Sequence, residues 1–116
     1  MNFKIPQALL LKSLQAVIGV VERKQNMPML NNILLTLVNE TLSITATDLE
    51  VELVAETKAE TETPGETTVP GRKLYDICRA LPDGDIHINQ TDEKVTVRAG
   101  RSRFTLATLK AADFPI

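Results

Sequence analysis

This chain repeats itself, and the repeat limits its fold more than any other feature. Leu42, Ile44, Ala46, Val51 and Leu53 match Val95, Val97, Ala99, Phe104 and Leu106 at a constant offset of 53 residues. The segments LSITATDLEVEL and VTVRAGRSRFTL share an apolar pattern while their charges are reversed. An internal duplication is the economical explanation. Each helix must bury its stripe on a sheet and each sheet has one apolar face, so two such units can share a core.

Periodicity defines the repeated unit. Leu10, Leu14, Val17, Ile18 and Val21 form one helical stripe over residues 7–22, with Lys12, Ala16, Gly19 and Arg23 on another side. Residues 23–32 contain Asn and Pro and read as a loop. Strand alternation follows at Ile33/Leu35/Leu37, at Leu42/Ile44/Ala46, and at Leu49/Val51/Leu53/Ala55, the last with Asp48, Glu50 and Glu52 between. Thr61 to Glu66 reads as a Pro-Gly turn. A second helix starts at Pro70, carries Leu74, Ile77, Cys78 and Leu81 on one stripe, and stops at Pro82-Asp83-Gly84. Strands resume at Ile86/Ile88, Val95/Val97/Ala99 and Phe104/Leu106. With Phe3/Ile5 and Thr67–Val69 as leading strands, each half is β-α-β-β-β. The fold class is therefore α+β, with two helices side by side on curved antiparallel sheet.

Composition removes several function classes. At 116 residues, 43% hydrophobic and 24% charged, the chain reads as one folded domain. No apolar run approaches the ~18 residues of a membrane span, and the first residues lack the unbroken apolar core of a signal peptide. One cysteine, Cys78, excludes an internal disulfide and a multi-cysteine zinc site, which fits a reduced, cytoplasmic setting. The single histidine, His87, and 3% aromatic content leave little for nucleophilic catalysis or base stacking. Net charge is −2, but unevenly spread: +3 over residues 1–39, −7 over 40–66 and +3 over 67–110, with Asp113 adding −1. Faces of opposite sign are expected.

Three charge clusters admit two readings each. Arg72 and Arg79, two helical turns apart, are either a solvated face with an Arg72–Asp76 ion pair or a phosphate-contacting face that Lys12 extends. Arg98, Arg101 and Arg103, with Lys94 and Lys73 near, are either surface charge or a dock for an acidic partner. On the second reading Arg101 and Arg103 share one strand face, and Phe104 or Leu106 on the other supplies an apolar anchor. Asp48, Glu50 and Glu52 are either the solvent face of a strand or a divalent-cation site. His87 is expected to face solvent and Cys78 to pack as a small hydrophobe, so neither reads as catalytic. Phosphate-binding glycine loops and nucleophile elbows are absent from the sequence.

The stretches TATDLEVEL, TTVPGRKLYDICRALPDG and RAGRSRFTLATLKAADFP resemble the N-terminal domain of bacterial sliding clamps, the beta subunit of DNA polymerase III holoenzyme. The resemblance runs the length of the chain. It implies the DNA clamp fold, with residues 1–116 as domain one of three, lacking its last strand. It also implies a non-catalytic processivity factor without metal or cofactor: a head-to-tail ring of two subunits that encircles duplex DNA and tethers the polymerase. Lys12, Arg23, Lys24, Arg72 and Arg79 would then face the phosphates without reading sequence. Family clamps carry an arginine in the loop after helix one, and lysine stands at the matching position here. Lys73, Lys94, Arg101, Arg103, Phe104 and Leu106 would face domain three of a second subunit, whose residues there are acidic and apolar. Polymerase and clamp loader would bind through regions this chain does not contain. The alternative is an interaction module that docks an acidic partner without touching DNA.

Overall fold

The computed structural model describes residues 1–21 and 27–115. Its first unit comprises β1 (Asn2–Pro6), α1 (Gln7–Val17), β2 (Asn32–Val38), β3 (Thr41–Thr47), β4 (Glu52–Lys58) and β5 (Glu60–Thr63). The second comprises β6 (Gly65–Pro70), α2 (Gly71–Ala80), β7 (Asp85–Thr91), β8 (Lys94–Ala99) and β9 (Ser102–Ala107). Short 3-10 turns occupy Ile18–Val20, Pro28–Asn31 and Ala111–Asp113.

Both helices start directly behind a proline, Pro6 or Pro70, each held in an extended conformation that ends its strand. Helix α2 thus begins one residue later than the sequence suggests. Helix α1 stops at Val17, short of residue 22, and tightens into the 3-10 turn closed by Val21 N–H on the Ile18 carbonyl at 3.0 Å. Ile18, Gly19, Val20 and Val21 are poor helix formers, two of them flanking a glycine, which accounts for the early end. The stripe survives the change of geometry: Leu10, Leu14, Val17, Ile18 and Val21 are all buried.

The strands form two antiparallel sheets, one ordered β5-β1-β7-β8-β9 and the other β4-β3-β2-β6. The units exchange their first strands. β1 pairs with β7 of the second unit, Phe3 opposite Ile88 and Ile5 opposite Ile86, while β6 pairs with β2 of the first, Val69 opposite Ile33. One buried cluster joins both sheets to both helices, including Phe3, Leu14, Ile44, Leu74 and Val97. The shared core expected from the duplication is present.

The equivalence between the halves holds through β3 and β8 and breaks at the turns that follow them. Leu42, Ile44 and Ala46 point inward, as do Val95 and Val97. The β8–β9 turn has two residues, Gly100 and Arg101, with Gly100 at φ 56. The β3–β4 turn has four, residues 48–51. Phe104 lies opposite Val97, so its counterpart is Ala55, opposite Ile44; Leu106 lies opposite Val95, so its counterpart is Thr57, opposite Leu42. The matches expected at Val51 and Leu53 are therefore displaced. Leu49 and Val51 sit in the longer turn, 57% and 47% exposed, outside the strand assigned to them by alternation.

A further departure lies at TETPGE, which its Pro-Gly pair assigns to a turn. Residues 60–63 are strand β5, and Pro64 alone separates it from β6. Buried Ala59 carries the chain from β4 in one sheet to β5 in the other, its N–H bonded to the Glu40 carbonyl at 3.1 Å. Glu40 also accepts the Thr61 N–H at 3.2 Å.

Beyond β9 the chain returns to β6 through a bridge between Thr68 and Leu109. The Thr68 hydroxyl is fully buried, donates to the Leu109 carbonyl at 2.7 Å, and accepts from the Leu109 N–H and the Asn32 side chain at 3.2 and 3.0 Å. Thr68→Val should cost about 1–3 kcal/mol in urea unfolding, because it strands the buried Asn32 amide and frees the Leu109 segment. Amide exchange at Leu109 should quicken in the same variant; unchanged exchange would mean that the hydroxyl does not hold this segment.

Candidate nucleic-acid interface

Three polar contacts set the helices side by side and antiparallel. Gln7, at the start of α1, donates its side-chain amide to the Cys78 carbonyl near the end of α2 at 2.9 Å. The Cys78 thiol approaches the Gln7 carbonyl at 3.7 Å. At the opposite end the Arg72 Nε donates to the Val21 carbonyl at 3.2 Å. Periodicity and charge do not single out Gln7. Its signal was a polar residue directly behind a strand-ending proline, on the buried face of an amphipathic helix. Burial pushes the Cys78 thiol up to about 11, which suits a packed group and not a nucleophile.

The solvent faces of this pair carry four cations, Lys12, Arg72, Lys73 and Arg79, against one acid, Asp76. Lys12 and Lys73 are exposed, as are Ala16 and Gly19 on the Lys12 side of α1. The expected Arg72–Asp76 pair does not form, because Arg72 is drawn to the end of the α1 segment. Asp76 pairs with Arg79 instead, at 3.4 Å, and the Arg79 guanidinium lies 5.1 Å over the Tyr75 ring. Both members of that pair are about 60% exposed, 61% and 59%, so the contact is weak and readily displaced by another anion. Arg72 is half-buried and anchored through one nitrogen. Arg23 and Lys24 lie outside the described residues.

The basic cluster of the second unit is divided among elements. Lys94 opens β8 and Arg103 lies on β9, both exposed on the outer face of the five-stranded sheet. Arg101 occupies the β8–β9 turn, so it does not share a strand face with Arg103; the two-residue turn takes it out of the alternation. Lys73 belongs to α2 and lines a separate cleft with Pro70, Asp76 and Leu109. Leu106 is 6% exposed and is spent on the chain's own core, so it is not a free docking anchor. Phe104 is half-buried beside it. Strand β9 ends its sheet and pairs only with β8.

The acidic triplet does not share a strand face either. Asp48 sits in the β3–β4 turn, where its carboxylate accepts the N–H groups of Val51 at 2.8 Å and Glu50 at 2.9 Å. Thr47 closes the turn from the other side, accepting the Leu49 N–H at 3.0 Å and donating to the Val51 carbonyl at 2.8 Å. These contacts hold Leu49 at φ 80, a costly conformation for a leucine. The Val51 bond, then the Glu50 bond, hold the Asp48 carboxyl below its ordinary value of 3.8. A depressed native pKa stabilises the fold above the unfolded value, and the effect fades as pH falls through the native one. Asp48→Asn should therefore lower the thermal midpoint at neutral pH, with the gap to the parent closing below about pH 3.8. A gap that persists in acid would assign the loss to geometry and not to charge.

Comparison with known proteins adds to this geometry. Residues 1–116 match the family model described as the DNA polymerase III beta subunit, N-terminal domain. The chain is 56% identical to the beta sliding clamp of Pseudomonas putida over 117 aligned positions, which cover 99% of this chain and 32% of that protein. It is 49% identical to the beta sliding clamp of Escherichia coli K12 over the same shares. Among solved structures, the Caulobacter crescentus pol III beta superposes with a TM-score of 0.97 at 44% identity, and the Pseudomonas aeruginosa DNA polymerase III subunit beta with 0.95 at 53%. In both, all of this chain is covered and 32% of the other. The chain thus spans about a third of the length of the relatives it matches.

Proposed function

The chain belongs to the family of DNA polymerase III beta subunit N-terminal domains, and from that premise we propose that it serves as one domain of a ring-shaped processivity factor around duplex DNA. Its fold is that of the clamp domain. The role is non-catalytic: the ring tethers the replicative polymerase to its template in the cytoplasm. The observation that carries the proposal is the paired antiparallel helices, whose solvent faces hold four cations and one acid in a chain of net charge −2.

Lys12, Arg72 and Arg79 are the phosphate contacts, joined by Arg23 and Lys24 on the strength of the family resemblance. Exposed Lys12 and Arg79 attract phosphates without reading bases, which suits a ring that slides. The acids of residues 40–66 support the same arrangement. Glu52 and Glu56 alternate on β4 with Leu53 and Ala55, which pack against the core, so the carboxylates point away from the helix layer. A wrong-side approach by DNA would meet that negative surface.

The free edge of β9 is the dock for domain three of a second subunit. Arg103 and Arg101 supply charge, Phe104 apolar contact and Lys94 a flanking cation, while Lys73 would meet the partner from the separate cleft at α2. Leu106 supports the edge from inside the core.

One observation favours the alternative, docking to an acidic protein without DNA: Arg79 is already engaged by Asp76, and Arg72 by Val21. Titration of a short duplex of arbitrary sequence at low salt separates the two. Weak binding that falls steeply with salt is expected, and Lys12→Glu with Arg79→Glu should weaken it by about tenfold or more. Duplex affinity that ignores both reversals, with the fold intact by circular dichroism, would remove the helix pair from the interface.

A further inference from the structure

Strand register lines up an unusual row across the outer face of the five-stranded sheet. Glu60 lies opposite Lys4, Lys4 opposite His87, His87 opposite Arg98, and Arg98 opposite Arg103. Neighbouring side chains in such a row have Cβ atoms about 4.5–5.5 Å apart, and like charges set opposite one another destabilise a sheet. At the first end the charge is balanced. Lys4 Nζ lies 3.3 Å from Glu60 and 4.0 Å from Asp85. At the other end it is not. Among the described residues, no acid pairs with Arg98, Arg101 or Arg103. These three, His87 and Asp85 line a cleft of about 270 Å³, and the Asp85 carboxylate lies 4.0 Å from Lys4 Nζ. Asp92 and Glu93, in the turn at the end of β7, line a second cleft with Lys94, Arg98 and Arg103 but form an ion pair with neither arginine.

We propose that Arg98, flanked by His87 and Arg103, is an anion-docking site on the sheet face that takes the carboxylates of an acidic polypeptide segment. The repulsion built into the row is relieved when a carboxylate settles between the two guanidinium groups. A polypeptide fits because the row ends at β9, whose outer edge offers main-chain pairing to an extended segment. A residue paired there would lie about 5 Å from Arg103 and about 10 Å from Arg98, within reach of glutamate and arginine side chains. The docking surface thus extends inward from the β9 edge onto β8 and β7. This inference rests on the edge-docking reading above for the acidic character of the partner.

The test uses this chain and a hexaglutamate peptide, followed by fluorescence anisotropy. A chain of net charge −2 has no general attraction for such a peptide, so binding reports local geometry. Arg98→Ala should weaken binding about tenfold, and Arg98→Lys should restore part of it. Lys58→Ala, which removes one exposed cation from the β4 edge of the other sheet, should change nothing. If Arg98→Ala binds like the parent while Arg103→Ala is weakened, the sheet-face site is refuted and the edge dock stands. Losses in both Arg98→Ala and Arg103→Ala are expected, and a loss in Arg98→Ala alone would overturn the site between the two guanidinium groups. Equal losses in Arg98→Ala and Lys58→Ala, or a parent that does not bind, would overturn the site. So would displacement of the peptide by duplex DNA with Arg98→Ala losing both ligands alike.

Discussion

The exchange of leading strands between the two units is the constraint on which the rest of the structure depends. Each unit alone would be a three-stranded sheet with one apolar face and a short helix, too little to close a core. By placing β1 beside β7 and β6 beside β2, the chain widens both sheets and seals them around one cluster. The exchange also makes the units inseparable, since Phe3 and Ile5 complete the core face of a sheet that otherwise belongs to the second half. Burial of such side chains is worth about 1.5–3 kcal/mol each, so the leading strands alone contribute several kcal/mol.

The placement of the helices follows. Each leaves its strand directly behind a proline, so its origin is tied to the sheet that the strand has joined. The two starts fall at opposite ends of the helix pair. Gln7 then meets the end of α2, and Arg72 the end of the α1 segment. Arg72 gives the Val21 carbonyl a donor, and Gln7 adds a second donor to the Cys78 carbonyl, which also accepts the Leu81 N–H at 3.3 Å. They also take one nitrogen of Arg72 out of play, so structural and electrostatic roles compete for the same side chain. Arg79 and Lys12 are not restrained in this way and can serve a mobile polyanion, whereas Arg72 is the fixed member of the group.

Much of this arrangement is legible in residue order. The duplication, the two helical stripes, and the inward positions of Leu42, Ile44, Val95 and Val97 all follow from period, because a buried face must be apolar. What misled was turn length. Alternation ran unbroken through Asp48–Val51, yet hydrogen bonds from the Thr47 hydroxyl and the Asp48 carboxylate fold those residues into a turn. The same limit applied at Arg101, which alternation put on a strand, and at residues 60–63, where proline and glycine masked a short strand that only its pairing with β1 defines.

From residue order alone came the doubled α+β unit, the apolar stripes, the separation of acidic from basic segments and the family resemblance. The first three are properties of local spacing and composition, while the resemblance rests on three matching segments. Only the tertiary structure decided which strands exchange sheets, which carboxylate holds Arg79, that Leu106 is consumed by the core, and that Arg98 lies between His87 and Arg103. Those outcomes depend on pairing register between segments distant in the chain, and a shift of one residue would send every side chain of a strand to the opposite face.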